Sequence, residues 1–461
     1  MSQTFSVTAP ADGQVIYHGQ YADQAAINAA VAAAKAAQSG WRQTPLAERK
    51  AKVAAAINWL VAHRDDIART ITAAMGRPIG QSPGEVRGLE ERARHMLAIA
   101  DEALADVVPA AQPGFKRFLR REPLGTVLVM APWNYPFLTA VNAIVPALVA
   151  GNTVLLKHSS QTPQVAEWFQ AAFAAAGLPA GVFQILFLSH ADTEALLHTD
   201  AVDFVAFTGS VGGGQQVQAA LSQRFIGYGL ELCGKDPAYV RADADVANAA
   251  ENLVDGAFFN SGQSCCGIER IYVHQSVYDA FVAEFVRITG QYRLGNPTDA
   301  DTNLGPMVRS SAADFVRAQI AEAVAQGATA LIDEAAFPAS RPGTAYLAPQ
   351  VLVNVNHTMR VMNEESFGPV VGIMPVADDA EAVRLMNDSR YGLTASLWTR
   401  DAAAAEALAA QIETGTVFMN RCDYLDPALA WTGVKDTGHG ISLSVLGYAQ
   451  LTRVKSYHFR T

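Results

Sequence analysis

The sequence predicts a doubly wound α/β protein, and the apolar pattern in the middle of the chain is the main reason for that prediction. Five short apolar runs follow one another from Thr126 onward: TVLVM, NTVLLK, VFQILF, DFVAFTG and FIGYGLEL. Helix-like stretches, mostly of crossover length, separate these runs at 137–150, 163–176, 192–198 and 212–223. Because the runs are apolar on both faces, they are typical of a parallel sheet that helices cover on both sides. Strands and helices continue after Cys265 to about residue 446, which predicts a second α/β region.

The segments that flank this core have different patterns. Residues 22–37 are rich in alanine, and helical patterns continue at 46–60, 63–75 and 84–106, all of which we interpret as scaffold. Residues 114–121 mix basic and apolar side chains, which indicates either an edge strand with a solvated face or a strand that pairs with a partner subunit. The C-terminal run LTRVKSYHFR alternates like an exposed strand and could also pair with another subunit.

Composition and charge exclude several classes of protein. The chain has 461 residues, half of them apolar, and a formal net charge of −10. This charge and the lack of a basic tract argue against nonspecific binding to nucleic acid or to an anionic membrane. Only four cysteines occur, and the N-terminus lacks the pattern of a signal peptide, so we expect a reducing, cytoplasmic location. The uncharged segment 124–156 could span a bilayer, but its Pro, Asn and Gly residues favour a strand, a buried helix and a second strand.

Two adjacent cysteines follow a Gly-Gln step in the stretch FFNSGQSCCGIER, residues 258–270. No His or further Cys lies nearby at metal-ligand spacing, so we expect no metal site. Gly262 and the polar residues around it indicate a turn, which favours exposure of one sulfur in a cleft. Such a cysteine is either a small buried apolar residue or a nucleophile, and the stretch by itself favours the buried role.

Three loops should meet at the carboxyl ends of the first set of strands, where sheets of this kind bind ligands. In MAPWNYP, two prolines stiffen the backbone around Asn134, whose amide could stabilise an oxyanion or cap the following helix. In FTGSVGGGQ, the glycines from Gly209 to Gly214 let the backbone approach a pyrophosphate, or form a plain strand-to-helix turn. Lys157 ends a strand, where it could contact ribose or phosphate or simply be solvated.

Two further stretches supply carboxylates. Glu231 in LELCGKDP ends the last strand of the first set, among apolar neighbours that should raise its pKa. A raised pKa suits a general base near neutral pH, although an N-cap or an ion pair with Lys235 would also account for this carboxylate. The stretch EESFGPV, residues 364–370, offers two carboxylates, a Phe and a Gly-Pro turn, and alone it indicates only a loop.

Together these stretches resemble the aldehyde dehydrogenase superfamily over nearly the whole chain. Six motifs occur in the family's order and at similar spacing: PWNYP at 132–136, FTGS at 207–210, ELCGK at 231–235, GQSC at 262–265, EESFGPV at 364–370 and GVKDTGHG at 433–440. The resemblance implies a Rossmann-like NAD(P)-binding domain at 1–106 and 124–232, an α/β catalytic domain at 233–446, and a small β oligomerisation element at 107–123 and 447–461. It also implies a homodimer or homotetramer that oxidises an aldehyde with NAD or NADP.

The resemblance also implies roles for individual residues. Cys265 matches the family's nucleophile, Glu231 its general base, and Asn134 its oxyanion donor. The matching cofactor contacts are Trp133, Lys157, Ser160, Gly209, Ser210, Gly214, Glu365 and Phe367. The matching substrate-pocket residues are Tyr135, Ser264, Cys266, Leu425 and Trp431, with Arg421 and Asp423 as nearby polar candidates.

The chain departs from the family pattern at several positions. Ser160 stands where many members have a Glu that binds the adenosine ribose, and the loss of that carboxylate permits NADP. Asn142 and Ala143 lie in the region where many members carry a Lys, and Ser442 lies in the region where they carry a Glu. These differences leave open whether a proton relay reaches Glu231. Cys233 replaces a usual Gly. The sequence shows no convincing arginine clamp for a carboxylated substrate.

Two alternatives to aldehyde oxidation with water remain. A relative that delivers the acyl group to coenzyme A is one, and the presence of Glu231 favours water over this acceptor. A noncatalytic structural or binding homologue is the other, and it predicts the loss of Cys265 or Glu231, both of which are present.

Overall fold

The structure, a computed structural model, describes residues 3–461. Its helices are α1 Gln24–Trp41, α2 Leu46–Ala62, α3 Arg64–Met75, α4 Pro83–Ala103, α5 Pro136–Val149, α6 Pro163–Ala175, α7 His190–Leu197, α8 Val211–Leu221, α9 Val246–Phe258, α10 Tyr278–Thr289, α11 Ser310–Ala325, α12 Arg360–Asn363, α13 Asp379–Asn387, α14 Ala402–Ala409 and α15 Ser444–Gln450. Its strands are β1 Thr4–Thr8, β2 Val15–Gln20, β3 Phe115–Pro123, β4 Thr126–Ala131, β5 Thr153–His158, β6 Phe183–Ile185, β7 Phe204–Thr208, β8 Gly227–Glu231, β9 Asp236–Val240, β10 Ile268–His274, β11 Thr329–Ala330, β12 Gln350–Val353, β13 Val370–Val376, β14 Tyr391–Gly392, β15 Thr394–Trp398, β16 Thr416–Met419, β17 Val434–Lys435, β18 Gly438–His439 and β19 Thr452–Arg460.

The first sheet has six strands in the order β18-β8-β7-β4-β5-β6. Its five strands from β4 to β8 pair in parallel, as the apolar runs predict. Successive residues of β4 bury their side chains on opposite faces. Val127 and Val129 belong to one apolar core and Leu128 and Met130 to another, so helices cover both faces of the sheet.

The second sheet has seven strands in the order β11-β12-β13-β10-β9-β15-β16. All its pairs are parallel except that of β11 with β12. The cysteine stretch connects α9 to β10 and therefore enters this sheet near its centre. Strand β8 is the last parallel strand of the first sheet and ends at Glu231. A short loop leads from it directly into β9 of the second sheet, so the two sheets meet beside Glu231.

The two flanking strands pair with each other within the chain. β19 lies antiparallel to β3 over their full lengths, from the pair Thr452 and Pro123 to the pair Arg460 and Phe115. Whether this ribbon contacts another subunit stays a prediction, and so do the domain boundaries. The short strand β18 pairs with β8, so residues 438–439 return to the first sheet although the prediction assigns them to the catalytic domain.

The uncharged segment 124–156 forms strand β4, helix α5 and strand β5, as its Pro, Asn and Gly residues predict. Within residues 3–461, no helix combines the length and the apolar character needed to cross a membrane.

Candidate active site

The backbone before the two cysteines has an unusual conformation. The φ angles of Asn260, Ser261 and Gly262 are 53°, 57° and 69°. They lie in the left-handed region of backbone conformation, which residues other than Gly rarely adopt. A Cβ atom at Gly262 would also collide with the carbonyl group of Gly368. This turn therefore requires glycine at position 262 for two reasons, and it leads into the cysteines just before the amino end of β10.

A buried arginine holds this turn against the loop that carries Asn134. Arg77 donates from Nε to Oδ1 of Asn260 (3.1 Å) and from Nη2 to the carbonyl oxygen of Asn134. Its Nη1 pairs with Glu85 at 2.5 Å, and Glu85 accepts in turn from the backbone N–H of Phe137 (3.0 Å). Both charges are buried and paired, so the two loops are fixed relative to each other.

The side chain of Asn134 points towards the cysteine turn. Its Nδ2 donates to the carbonyl oxygen of Gln263 at 3.2 Å, and the residue is 5% exposed. Helix α5 has Tyr135 as its N-cap and no side-chain cap, so Asn134 does not have the alternative capping role. An amide carries two N–H donors, and the bond to Gln263 uses one of them.

Glu231 ends strand β8 between two hydroxyl donors. Ser442 donates to Oε1, and Thr208 donates to Oε2 at 3.4 Å. Burial raises the pKa of Glu231, as its apolar neighbours predict, while these hydrogen bonds act in the opposite direction. Lys235 is not its partner, because Lys235 pairs with Glu269 in the interior.

The two cysteines have different surroundings. Cys265 is partly exposed in a cleft, whereas Cys266 is 4% exposed and donates to Oδ1 of Asp423 at 2.9 Å. The hydrogen bond with Cys265, followed by burial, raises the pKa of the Cys266 thiol well above its usual range. Burial also raises the pKa of Asp423 to about 7. Cys266 is therefore held as a neutral thiol, and Cys265 is the sulfur that an incoming molecule can reach.

A cavity of about 200 Å³ brings two of the predicted catalytic residues together with the predicted pocket residues, while Asn134 does not line it. The side chains of Cys265 and Glu231 face it, and so do all five predicted pocket residues: Tyr135, Ser264, Cys266, Leu425 and Trp431. Of the two nearby polar candidates, Asp423 lines the cavity, whereas Arg421 stacks over the ring of Tyr424 at 3.4 Å. The hydroxyl of Tyr135 is buried without a hydrogen-bond partner among the described residues.

The loops after β5 and β7 carry the predicted dinucleotide-binding residues, at the same edge of the first sheet. Lys157 is the penultimate residue of β5, one position before the predicted strand end, and burial lowers the pKa of its ammonium group. Ser160 is exposed in the loop that follows. Ser210 caps helix α8, where its Oγ accepts from the backbone N–H of Gly213 at 3.2 Å. A cationic side chain and a helix N-terminus suit the pyrophosphate and ribose of a dinucleotide.

Glycine residues in this loop serve different purposes. A Cβ atom at Gly209 would lie 2.7 Å from the ring of Phe207, and one at Gly214 would lie 2.7 Å from the side chain of Leu232. Gly214 therefore lets α8 pack closely on the sheet. It is buried, whereas Gly212 is exposed and open to an approaching ligand.

A buried carboxylate positions Glu365 and Phe367 opposite the glycine loop. Glu269 pairs with Lys235 and accepts from the backbone N–H groups of Ser366 (2.8 Å) and Phe367 (2.9 Å). Glu365 accepts from the backbone N–H of Gly234 at 3.2 Å. Burial raises the pKa of Glu365 to about 8.

An aromatic pair and a thiol complete this side of the cleft. The ring of Phe367 lies edge-on to Trp133, with centroids 5.7 Å apart. Cys233, which replaces a usual Gly of the family pattern, places its sulfur 3.9 Å from the carbonyl oxygen of Gly209. The predicted cofactor residues thus lie on loops beside one another and beside the cysteine turn, and their chemistry fits a nicotinamide dinucleotide.

The interpretation of the N-terminal helices as scaffold is incomplete. Helix α4 lines the cavity with Gly88, Glu91 and Arg92. A signal was present in the sequence, because Arg92 lies on the apolar face between Leu89 and Met96, where a charged residue is unusual. Sequence reasoning also did not connect Thr208 with Glu231, since only the pairing of β7 with β8 brings them together.

Comparisons with known proteins identify the family and the fold of this chain. The family model described as "Aldehyde dehydrogenase family" matches residues 1–457. A succinate-semialdehyde dehydrogenase [NADP(+)] 1 of Mycobacterium tuberculosis is 35% identical over 449 residues, which cover 97% of this chain and 98% of the relative. A succinate-semialdehyde dehydrogenase from Burkholderia pseudomallei has a TM-score of 0.95, 28% identity, and coverage of 100% of this chain and 95% of its own. An NADP-dependent glyceraldehyde-3-phosphate dehydrogenase from Bacillus halodurans, complexed with NADP, has a TM-score of 0.93, 32% identity, and coverage of 99% and 96%.

Proposed function

The chain belongs to the aldehyde dehydrogenase family, and on that premise we propose that Cys265, Glu231 and Asn134 carry out the NAD(P)-dependent oxidation of an aldehyde to a carboxylic acid. The observation that supports this assignment most directly is the shared cavity. Cys265 and Glu231 both face it, and Asn134 bonds to the turn that presents Cys265. A nucleophile, a base and an oxyanion donor at one point are what acyl chemistry on an aldehyde requires.

The reaction begins with the attack of the Cys265 thiolate on the aldehyde carbon. The carbonyl oxygen becomes an oxyanion, which the free N–H of the Asn134 amide and the backbone N–H of Cys265 stabilise. When bound, the nicotinamide supplies the hydride acceptor that this oxidation needs. Cys265 then holds the acyl group as a thioester.

Glu231 completes the reaction with water. Its carboxylate takes a proton from a water molecule as the water oxygen attacks the thioester carbon. The carbon–sulfur bond breaks, the acid leaves, and Cys265 is released as a thiolate. The raised pKa of Glu231 makes it a stronger base than an exposed carboxylate, and Ser442 and Thr208 orient it.

The cofactor is NAD or NADP, and we infer a preference for NADP. Ser160 places no carboxylate beside Lys157 at the end of β5, so a 2′-phosphate meets a cation without a like charge from that position. Relatives at 34–35% identity are named as NADP-dependent, which supports the same preference.

We also infer a homodimer or homotetramer in a reducing, cytoplasmic compartment. The ribbon of β3 and β19 exposes Leu119, Val454 and Phe459, which a partner subunit would cover. The four cysteines, sparse for this length and all free, favour the compartment. Light scattering after gel filtration measures the mass of the assembly, and a monomer would contradict this inference.

An absorbance assay at the reduced-nicotinamide band tests the function. It crosses a panel of aldehydes with NAD and NADP, for the native protein and for Glu231→Gln. We expect steady turnover from the native protein, and a single burst of about one equivalent followed by a slow phase from Glu231→Gln, because the thioester then accumulates. The proposal fails if no aldehyde reduces either cofactor.

A further inference from the structure

Resting on the function proposed above, we propose that the substrate is an oxo acid, and that Arg92 and Asn142 bind its carboxylate group at a distance from the aldehyde carbon that Cys265 attacks. This site narrows the substrates of the cavity to one chemical class, the aldehydes that carry a carboxylate group. It also revises the expectation that the chain has no arginine for a carboxylated substrate.

Arg92 is a buried cation without an ionic partner. The residue is 8% exposed and lines the cavity beside Cys265 and Glu231. Among the residues that the structure describes, no carboxylate oxygen lies within 4.0 Å of its guanidinium nitrogens. Buried charges in proteins are ordinarily paired, because removing a charge from water is costly. A ligand that brings a negative charge into the cavity would supply the partner.

The hydrogen bonds of Arg92 leave most of its donors free. Nη1 donates to the carbonyl oxygen of Leu138 at 2.9 Å and to Oδ1 of Asn142 at 3.4 Å. Nε and Nη2 have no partner within the described part of the chain. These bonds fix the guanidinium plane, and the remaining N–H groups suit the two oxygens of a carboxylate.

Asn142 adds a second donor beside the guanidinium. It is 3% exposed, and its Nδ2 is buried without a hydrogen-bond partner in the described residues. Its Oδ1 accepts from Arg92, which assigns the nitrogen of the amide to the free position. An unsatisfied buried donor is costly, so a carboxylate bound at this point would satisfy Asn142 and Arg92 together.

Three carboxylates also line the cavity, and each has another role. Glu91 is exposed at the rim, where it accepts from the hydroxyl of Tyr424 at 2.8 Å. Glu231 accepts from Ser442 and Thr208. Asp423 accepts from Cys266 and Ser264, and its pKa of about 7 leaves it largely protonated in weakly acidic solution. If Arg92 served only to balance these charges from a distance, its substitution would lower the stability of the protein but would not change its preference between substrates.

The test measures a selectivity ratio between two aldehydes, 4-oxobutanoate and butanal, which share a four-carbon chain and differ in the terminal carboxylate. Initial rates with each aldehyde give the two kcat/KM values. We expect the native protein to prefer 4-oxobutanoate. Arg92→Met should lower the ratio of the two kcat/KM values by about 10- to 100-fold, mainly because the oxo acid then binds more weakly and its KM rises. Asn142→Leu should lower the ratio less, and Arg92→Lys should retain part of it.

Arg94→Met is the matched control. Arg94 lies on the same helix, but its side chain points outward and pairs with Glu90 and Asn58. This variant should keep the native selectivity ratio. A cationic aldehyde, 4-trimethylammoniobutanal, completes the panel, and a native preference for it over 4-oxobutanoate would overturn the carboxylate site. An unchanged ratio in Arg92→Met would overturn it too.

A binding measurement separates this proposal from the function itself. Succinate should raise the midpoint of thermal unfolding of the native protein and of Cys265→Ala, and should have no such effect on Arg92→Met. If no aldehyde is oxidised but succinate still binds through Arg92, the anion site stands and the proposed function fails. If aldehydes are oxidised without a carboxylate preference and succinate does not bind, the function stands and the anion site fails.

Discussion

The hydroxyl of Ser442 donates a hydrogen bond directly to Oε1 of Glu231. Ser442 lies 211 positions along the chain from Glu231, and the antiparallel pairing of β18 with β8 brings the two regions together. The sequence left open whether a proton relay reaches Glu231, because the Lys and Glu of the family pattern are absent. The structure shows Ser442 and Thr208 in contact with this carboxylate instead.

Removal of the Ser442 hydroxyl should shift the pH dependence of turnover. The hydrogen bond lowers the pKa of Glu231 against the effect of burial, so Ser442→Ala should raise that pKa further. Glu231 must be deprotonated to act as a base, and the acidic limb of the kcat profile should therefore move to higher pH. Ser39→Ala, on the exposed side of α1, is the control and should leave the profile in place. An acidic limb that stays in place or moves to lower pH in Ser442→Ala would contradict the role of this bond.

Loss of the Asn134 amide should slow the chemical steps. Asn134→Ala removes one of two expected oxyanion donors, which typically costs about 100- to 1,000-fold in kcat. Because its side chain hydrogen-bonds to the cysteine turn and not to the dinucleotide loops, cofactor affinity measured by fluorescence titration should stay within about threefold of native. A native kcat in this variant would exclude Asn134 as an oxyanion donor.

A carboxylate at position 160 should disfavour NADP. Ser160→Glu places a negative charge beside the proposed 2′-phosphate site, and we expect the KM ratio of NADP to NAD to rise by at least about 10-fold. Ser160→Gln has nearly the same size without the charge and should change this ratio little. An equal effect of Ser160→Glu on both cofactors would count against the assignment of Ser160.

Gly262 should be essential for stability of the cysteine turn. Gly262→Ala introduces a Cβ atom at φ 69° and against the Gly368 carbonyl, so the free energy of unfolding should fall by at least about 1 kcal/mol. Denaturant unfolding monitored by tryptophan fluorescence measures this loss. Gly40→Ala is the control, because a Cβ atom there meets no atom within 4 Å, and it should not destabilise the protein. A stable Gly262→Ala variant would show that the turn can rearrange.

Local sequence patterns predicted much of the fold and part of the site. The apolar runs gave the parallel strands β4 to β8, because a strand buried on both faces must be apolar throughout. The loops after those strands gave Asn134, Gly209 and Glu231, since the carboxyl ends of parallel strands lie at one edge of a sheet.

Contacts between distant segments could not be predicted in this way. The bond of Arg77 to Asn260 joins residues 183 positions apart, and no local pattern specifies it. Arg92 lies on a helix whose composition indicates scaffold, and only the packing of α4 against α5 places it in the cavity. The pairing of Cys266 with Asp423 likewise depends on tertiary structure.

The central claim is that Cys265, and not Cys266, forms the bond to the substrate. Its most direct test uses Glu231→Gln, in which the thioester should accumulate after the aldehyde and the cofactor are mixed. Acid quenching and peptide mass spectrometry with fragment ions then locate the acyl group. We predict acylation of Cys265, its loss when Cys265→Ala is combined with Glu231→Gln, and its retention when Cys266→Ala is combined instead. An acyl group on Cys266, or acylation that survives Cys265→Ala, would contradict the account.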